Sequence, residues 1–256
     1  MPPGGKLIAF EGIDGSGKRT QMEMLARALD GRGIPVARIS FPRYEGFFGQ
    51  MVGRFLNGEF GSLKTVDPHF SALLYAGDRL EAKPEIRAAL EGGKIVLADR
   101  YVGSNLAHQG ARVLKARRRE FLEWLERLEY RIYNLPREDR IIYLRVPAAE
   151  AQRLVTKKPA REYTRRRRDL QESNLAHLKA ASEVYDHLSE GPRWARIECA
   201  TQARDCYSRA VPAVTGPGVS RAGNHRSIAL RSAEEIHLDV LAAIRAPLGD
   251  FALLKG

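Results

Sequence analysis

Cysteine is almost missing from this chain. The two present, Cys199 and Cys206, belong to no CxxC pair and no Cys/His cluster, which excludes a zinc-binding motif and a disulfide scaffold and fits a reducing compartment. Also missing is any apolar run approaching the ~18 residues a membrane span requires. The opening residues Met1 to Lys6 lack the charged and then apolar stretches of a secretory leader. The expectation is a soluble, cytoplasmic protein with no membrane partner. Acid is scarce relative to base, 31 Asp and Glu against 42 Lys and Arg, and the formal charge is +11. That excess points to an anionic partner, whether nucleic acid, membrane surface or phosphorylated metabolite. It is concentrated in one place. Arg153, Lys157, Lys158, Arg161, Arg165, Arg166, Arg167 and Arg168 stand against the single acid Glu162. A cluster so short favours a local phosphate clamp over an extended nucleic-acid face, so no nucleic-acid partner is expected.

What is present suffices for a full core: 256 residues with 44% apolar content suit one α/β domain spanning 1–256. The short apolar runs Leu7 to Phe10, Pro35 to Phe41, Lys94 to Ala98, Arg140 to Val146 and Arg193 to Cys199 read as strands. They lack period-two alternation, as strands covered on both faces do, so the fold class expected is α/β, a five-stranded parallel sheet with helices on both faces. Helical periodicity runs through Met22 to Leu29, Phe48 to Leu56, Pro68 to Glu91, Asn105 to Ala111, Arg118 to Tyr133, Ala148 to Val155, Leu170 to Leu188 and Ala233 to Ile244. Residues 200–229, with Pro212, Gly216, Pro217, Gly218 and Gly223 among small polar residues, read as a flexible insertion.

The strongest chemical signal is Gly12, Ile13, Asp14, Gly15, Ser16, Gly17 and Lys18, set between the first strand and the first helix. This is the GxxxxGK pattern in the context it requires, where backbone N–H groups and a helix N-terminus wrap a polyphosphate and the lysine supplies a mobile charge. Where a hydroxyl residue usually follows the lysine, this chain has Arg19, and Thr20 comes one position later. Arg19 either stabilises charge on the transferring phosphoryl group or points to solvent. Asp99 and Arg100 close the third strand at the same sheet edge, where ligands of such sheets bind. An acid there can hold Mg²⁺ directly or through water, and Arg100 can grip an acceptor phosphate bidentately. Arg43, after Phe41 and Pro42, leaves the second strand toward the same cleft. Tyr75 and Arg79 share a helix face, either as base readers or as a core ring beside a surface arginine.

Taken together, the loop FEGIDGSGKRTQ, the turn FPRY, the segment YAGDR and the run DRYVGSNLAHQ resemble the thymidylate kinase family of nucleoside monophosphate kinases, from about Lys6 to Cys199 and again near Leu230. The resemblance implies a phosphate-loop kinase core, a homodimer, and transfer of the ATP γ-phosphoryl group to dTMP with Mg²⁺. It implies that Gly12, Gly15, Ser16, Gly17, Lys18, Arg19 and Thr20 hold ATP, with Asp14 and Asp99 near the metal and Asp14 near the sugar. Arg43 and Arg100 are implied at the acceptor phosphate, Tyr75, Arg79 and Asn105 at the base, and Tyr44 and His108 as further substrate-binding residues. The segment around 156–169, including Arg161 and Arg165, is implied to be a mobile basic lid. His108 stands where the family often has tyrosine near the sugar, and Arg145 where an acid often precedes Val-Pro. Two rival functions stay open on sequence: a kinase for another nucleoside monophosphate, and a silent nucleotide- or nucleic-acid-binding scaffold.

Overall fold

The computed structural model describes residues 4–156, 174–202 and 228–248. Five parallel strands, Lys6–Glu11 (β1), Val36–Ser40 (β2), Ile95–Asp99 (β3), Arg140–Arg145 (β4) and Trp194–Glu198 (β5), form one sheet in the order β2-β3-β1-β4-β5. The class expected from unalternating apolar runs is the one observed, and the reason is visible in β1. Leu7, Ile8, Ala9 and Phe10 are all fully buried because both faces of the strand are covered. Ile8 and Phe10 pack with side chains of Lys18–Asp30 (α1), Leu175–Leu188 (α7) and Ala233–Ile244 (α8), including Met22, Leu25, Leu178 and Val240. Leu7 and Ala9 face the opposite layer, built on Pro68–Glu91 (α3), Val102–Gly110 (α4) and Lys115–Glu126 (α5). Phe47–Asn57 (α2) packs on α3 through Val52, Phe55 and Leu74, and Ala148–Thr156 (α6) follows β4.

Helix ends carry the chemistry their termini demand. Asp67 accepts from the His69 N–H at 2.7 Å and Pro68 opens α3, while Ser232 and Glu235 form a reciprocal capping box on α8. Several boundaries differ from the sequence expectation, four of them for a readable reason. Helix α1 starts at Lys18, not Met22, because its first turn is the continuation of the glycine loop rather than part of the amphipathic stripe. Helix α4 starts at Val102, not Asn105; all nine of its residues are buried, so it has no polar face to give a period. The helix expected across 118–133 changes hand-hold at Arg127, where a π turn, Arg127–Ile132, takes over and buries Glu129. The insertion 200–229 is not loop throughout. Ala200–Gln202 (β6) and Ile228–Leu230 (β7) pair antiparallel at its two ends, three-residue strands too short to show a pattern. The lid residues from 157 onward, with Arg161 and Arg165, residues 170–173 of the expected seventh helix, residues 203–227 and Cys206 lie outside the described residues.

Candidate active site

The glycine loop leaves β1 with a backbone that side chains would not permit. At Gly12, φ is 141°, and a Cβ would lie 2.6 Å from the Leu144 carbonyl oxygen; at Gly15, φ is 90° and a Cβ would lie 2.2 Å from the Ala151 oxygen. The loop therefore sits backbone to backbone against β4 and α6. Lys18 folds back into it, donating to the carbonyls of Gly12 at 3.0 Å and Ile13 at 3.1 Å. Burial, then the nearby Arg100 charge, lowers its pKa to about 8, with Asp14, Asp99 and Glu11 working the other way. Ser16 is buried in the loop and its Oγ has no hydrogen-bond partner. Arg19 and Thr20 are exposed on the first turn of α1.

Across the β1–β3 pair, Arg100 spans the site. Its backbone lies at φ 71°, an uncommon conformation for a residue with a side chain. Two contacts hold it there: its N–H donates to the Phe10 carbonyl at 3.0 Å, and the next N–H, of Tyr101, donates to the Glu11 carboxylate at 2.8 Å. The guanidinium then reaches Asp14 Oδ1 at 2.6 Å, Ser104 Oγ at 3.1 Å, the Gly12 carbonyl at 3.3 Å and His108 Nε2 at 3.4 Å. Burial opposes its charge, yet Asp14 and the surrounding carboxylates outweigh it and hold the guanidinium firmly protonated. Asp99 ends β3 beside it, with Oδ1 buried and unbonded. Glu11 is fully buried and also accepts from Ser104 Oγ at 2.5 Å and Tyr185 OH at 2.9 Å. It ties the end of β1 to α4 and α7.

Sequence reasoning missed Glu11, although a carboxylate closing an otherwise apolar strand immediately before a phosphate loop is a readable signal. Asp78 was missed as well. It accepts from the Arg43 N–H at 3.0 Å and lies 3.7 Å from Arg43 Nε, so it fixes the turn after β2; burial, more than any neighbour, raises its pKa. Arg43 also pairs with Glu85 at 3.1 Å. The half-buried Tyr44 ring lies over Gly53 of α2.

At the far end, Arg79 is not a surface residue. It is 1% exposed and pairs with Glu129 through Nε at 2.5 Å and Nη2 at 2.6 Å. Asn105 Nδ2 donates to the same carboxylate at 2.8 Å and to the Ala72 carbonyl at 3.0 Å. Both partners are acceptors, so the amide orientation is fixed and Asn105 Oδ1 is left buried without a partner. Tyr75, half-buried, meets Phe55 edge to face at 6.4 Å. Arg145, at the end of β4, is occupied by Asp186 at 2.8 and 3.0 Å.

A glycine cradle ended by a lysine, at the start of a helix and facing a carboxylate and a guanidinium on the adjoining strand, defines an α/β phosphate-loop transferase. The family model for thymidylate kinase matches residues 10–210. The thymidylate kinase of Mycobacterium tuberculosis is 34% identical over 192 residues, 73% of this chain and 89% of its own length. That of Plasmodium falciparum is 28% identical over 215 residues, covering 82% and 90%. A solved thymidylate kinase from Candida albicans superposes with a TM-score of 0.58 at 20% identity, covering 76% of this chain and 84% of that one, a likeness of fold. The chain belongs to the thymidylate kinase family, and it is an enzyme, a phosphotransferase acting on dTMP.

Proposed function

We propose that this chain moves the γ-phosphoryl group of ATP onto the phosphate of dTMP, giving dTDP and ADP, with Mg²⁺, in the cytoplasm and as a homodimer within one kinase domain. The observation that carries the reading is the convergence of Lys18 and Arg100 on the carbonyls of one glycine loop, with Asp14 paired to Arg100 between them. Two cationic donors of different shape then face one small volume, as transfer between two phosphates requires.

The residues present fit a hydrated divalent cation. Asp99 Oδ1 and Ser16 Oγ are buried oxygens without partners, and no group of three or more His, Cys, Asp or Glu forms a cage among the described residues. Asp99 and Ser16, with Asp14, would hold Mg²⁺ alongside water and nucleotide oxygens, the arrangement this ion prefers. Held by these residues, the ion would supply charge neutralisation on the phosphates. The chain's own residues do the rest. Lys18 exchanges its two loop carbonyls for phosphate oxygens. Arg100 and Arg43 hold the acceptor phosphate, Arg19 adds a donor from the exposed first turn of α1, and Arg161 and Arg165 of the basic segment serve the ATP phosphates. The attacking oxygen is already ionised, so no general base is needed, and alignment with charge neutralisation supplies the catalysis.

At the base, Tyr75 stacks, Asn105 Oδ1 accepts the ring N3–H, and the Arg79 edge not used by Glu129 donates to O4. Cytosine presents the opposite pattern, an acceptor at N3 and a donor at C4, and leaves these buried groups mismatched. Phe70 and Leu73 of α3 remain 44% and 39% exposed, which supports a second copy covering this helix; sedimentation equilibrium checks it. The test of function is ADP release from ATP and Mg²⁺ with dTMP, dUMP, UMP, AMP, CMP and GMP offered separately. Fast turnover with dTMP and at least ~100-fold slower turnover with CMP is expected. Equal rates with CMP would overturn the base reading, and no turnover with any acceptor would overturn the kinase.

A further inference from the structure

His108 and His177 form a buried pair that the roles above leave unused. His108 lies on α4 and is 4% exposed; His177 lies in the first turn of α7 and is 7% exposed, its backbone N–H fixed by the Asn174 side chain at 3.0 Å. His108 Nδ1 stands 3.3 Å from His177 Nε2, and His108 Nε2 stands 3.4 Å from Arg100 Nη1. The directions of these bonds follow from the donor inventory. A guanidinium only donates, so His108 Nε2 carries no proton. The neutral ring then holds its proton on Nδ1 and donates it to His177 Nε2, which leaves His177 protonated on Nδ1. Neutrality is consistent with the surroundings. Burial, then Arg100, pushes His108 well below the ordinary imidazole value, and burial, then Arg112, brings His177 down to about 4.

We propose that His177 is a positioning residue for Arg100. By accepting the Nδ1 proton of His108 it fixes that ring in the one tautomer that meets Arg100 with a lone pair. In the other tautomer an N–H faces a guanidinium N–H. The ring closes one flank of the guanidinium, Asp14, Ser104 and the Gly12 carbonyl hold the others, and the remaining edge is presented to an anion. The proposal rests on the reading of Arg100 as a ligand of the acceptor phosphate.

The first test is a long-range ¹⁵N–¹H correlation spectrum of the imidazoles in the wild-type protein near neutral pH. Both His108 and His177 protonated on Nδ1 supports the relay; His108 protonated on Nε2 overturns it. The second is kinetic. His177→Leu keeps the volume and removes the acceptor, whereas His177→Gln returns an oxygen near the position of Nε2. The loss of one buried hydrogen bond predicts that His177→Leu raises KM for dTMP about fivefold, with kcat and KM for ATP changed less than about twofold, and that His177→Gln restores most of it. Unchanged KM in His177→Leu, or equal increases in both variants, overturns the proposal. Arg100→Lys in the same assay separates the layers. If it leaves KM for dTMP unchanged, the reading of Arg100 fails and this proposal with it; if it weakens dTMP binding while His177→Leu does not, this proposal fails alone.

Discussion

Raising the pH through 8 should weaken the enzyme's capture of ATP, and Lys18 is the reason. Its amine holds phosphate only while protonated, and burial in the glycine loop lowers its pKa to about 8. In the nucleotide-free enzyme the charged fraction falls from about 0.9 at pH 7 to about 0.5 at pH 8 and about 0.1 at pH 9 by simple titration. Because kcat/KM reports the free enzyme, kcat/KM for ATP should drop roughly tenfold between pH 7 and pH 9. At saturating ATP the bound polyphosphate favours the ammonium form, so kcat should change much less over the same range. The other cations cannot produce this limb: Arg100 is held protonated far above it, and His108 and His177 are neutral well below it. Lys18→Arg does not titrate in this range, so its kcat/KM should be lower at neutral pH and free of the alkaline limb. Lys18→Ala should lose two or more orders of magnitude in turnover, roughly, with the fold intact. The assay is coupled ADP release from pH 6.5 to 9.5, by design, at fixed ionic strength. A flat wild-type profile, or an identical limb in Lys18→Arg, would refute the reasoning.

Glu138 is fully buried, accepts from Tyr130 OH at 2.7 Å, and has its pKa raised by burial from 4.5 to about 7. Below the unfolded value both states are neutral; as pH rises toward 7 the unfolded carboxyl ionises first, so stability declines and then stays lower by about 3 kcal/mol. Glu138→Gln should recover most of that at pH 8 and little at pH 5, and chemical denaturation giving the same shift at both pH values would rule the account out. Glu129→Gln strands the buried Arg79 charge and should cost about 3–5 kcal/mol, whereas Arg79→Met with Glu129→Leu should regain most of the stability without regaining discrimination of thymine. If the double variant is no more stable than the single one, the pair is not what destabilises it. Gln202 and Ile228 are opposite each other in the β6–β7 pair, so an Asn-Gly turn replacing residues 203–227 should leave stability within about 1 kcal/mol. A large fall in Tm would show that those residues pack.

The phosphate loop was legible because its chemistry is local. Glycines at fixed spacing, a lysine at the helix start and an apolar strand before them encode a backbone shape that needs no distant partner, and Asp99 and Arg100 could be read the same way as the closing residues of a strand. The base-reading roles proposed for Tyr75, Arg79 and Asn105 came from resemblance alone. The sequence left Arg79 as either a reader or a surface residue, since a four-residue spacing says nothing about which layer covers it.

By itself, then, the chain determined the parallel sheet, the loop and the sheet edge at which they meet, all set by hydrophobic runs and glycine stereochemistry within a few residues. The tertiary structure decided everything that depends on contacts between distant segments. The π turn at Arg127–Ile132 carries Glu129 to Arg79, 50 positions away. Packing α7 against α4 and the end of β1 brings His177 to His108 and Tyr185 to Glu11. These partners are separated by tens to hundreds of residues, so no window of sequence contains them. Their positions are fixed because a buried charge or amide must find its counterpart once the layers close around it.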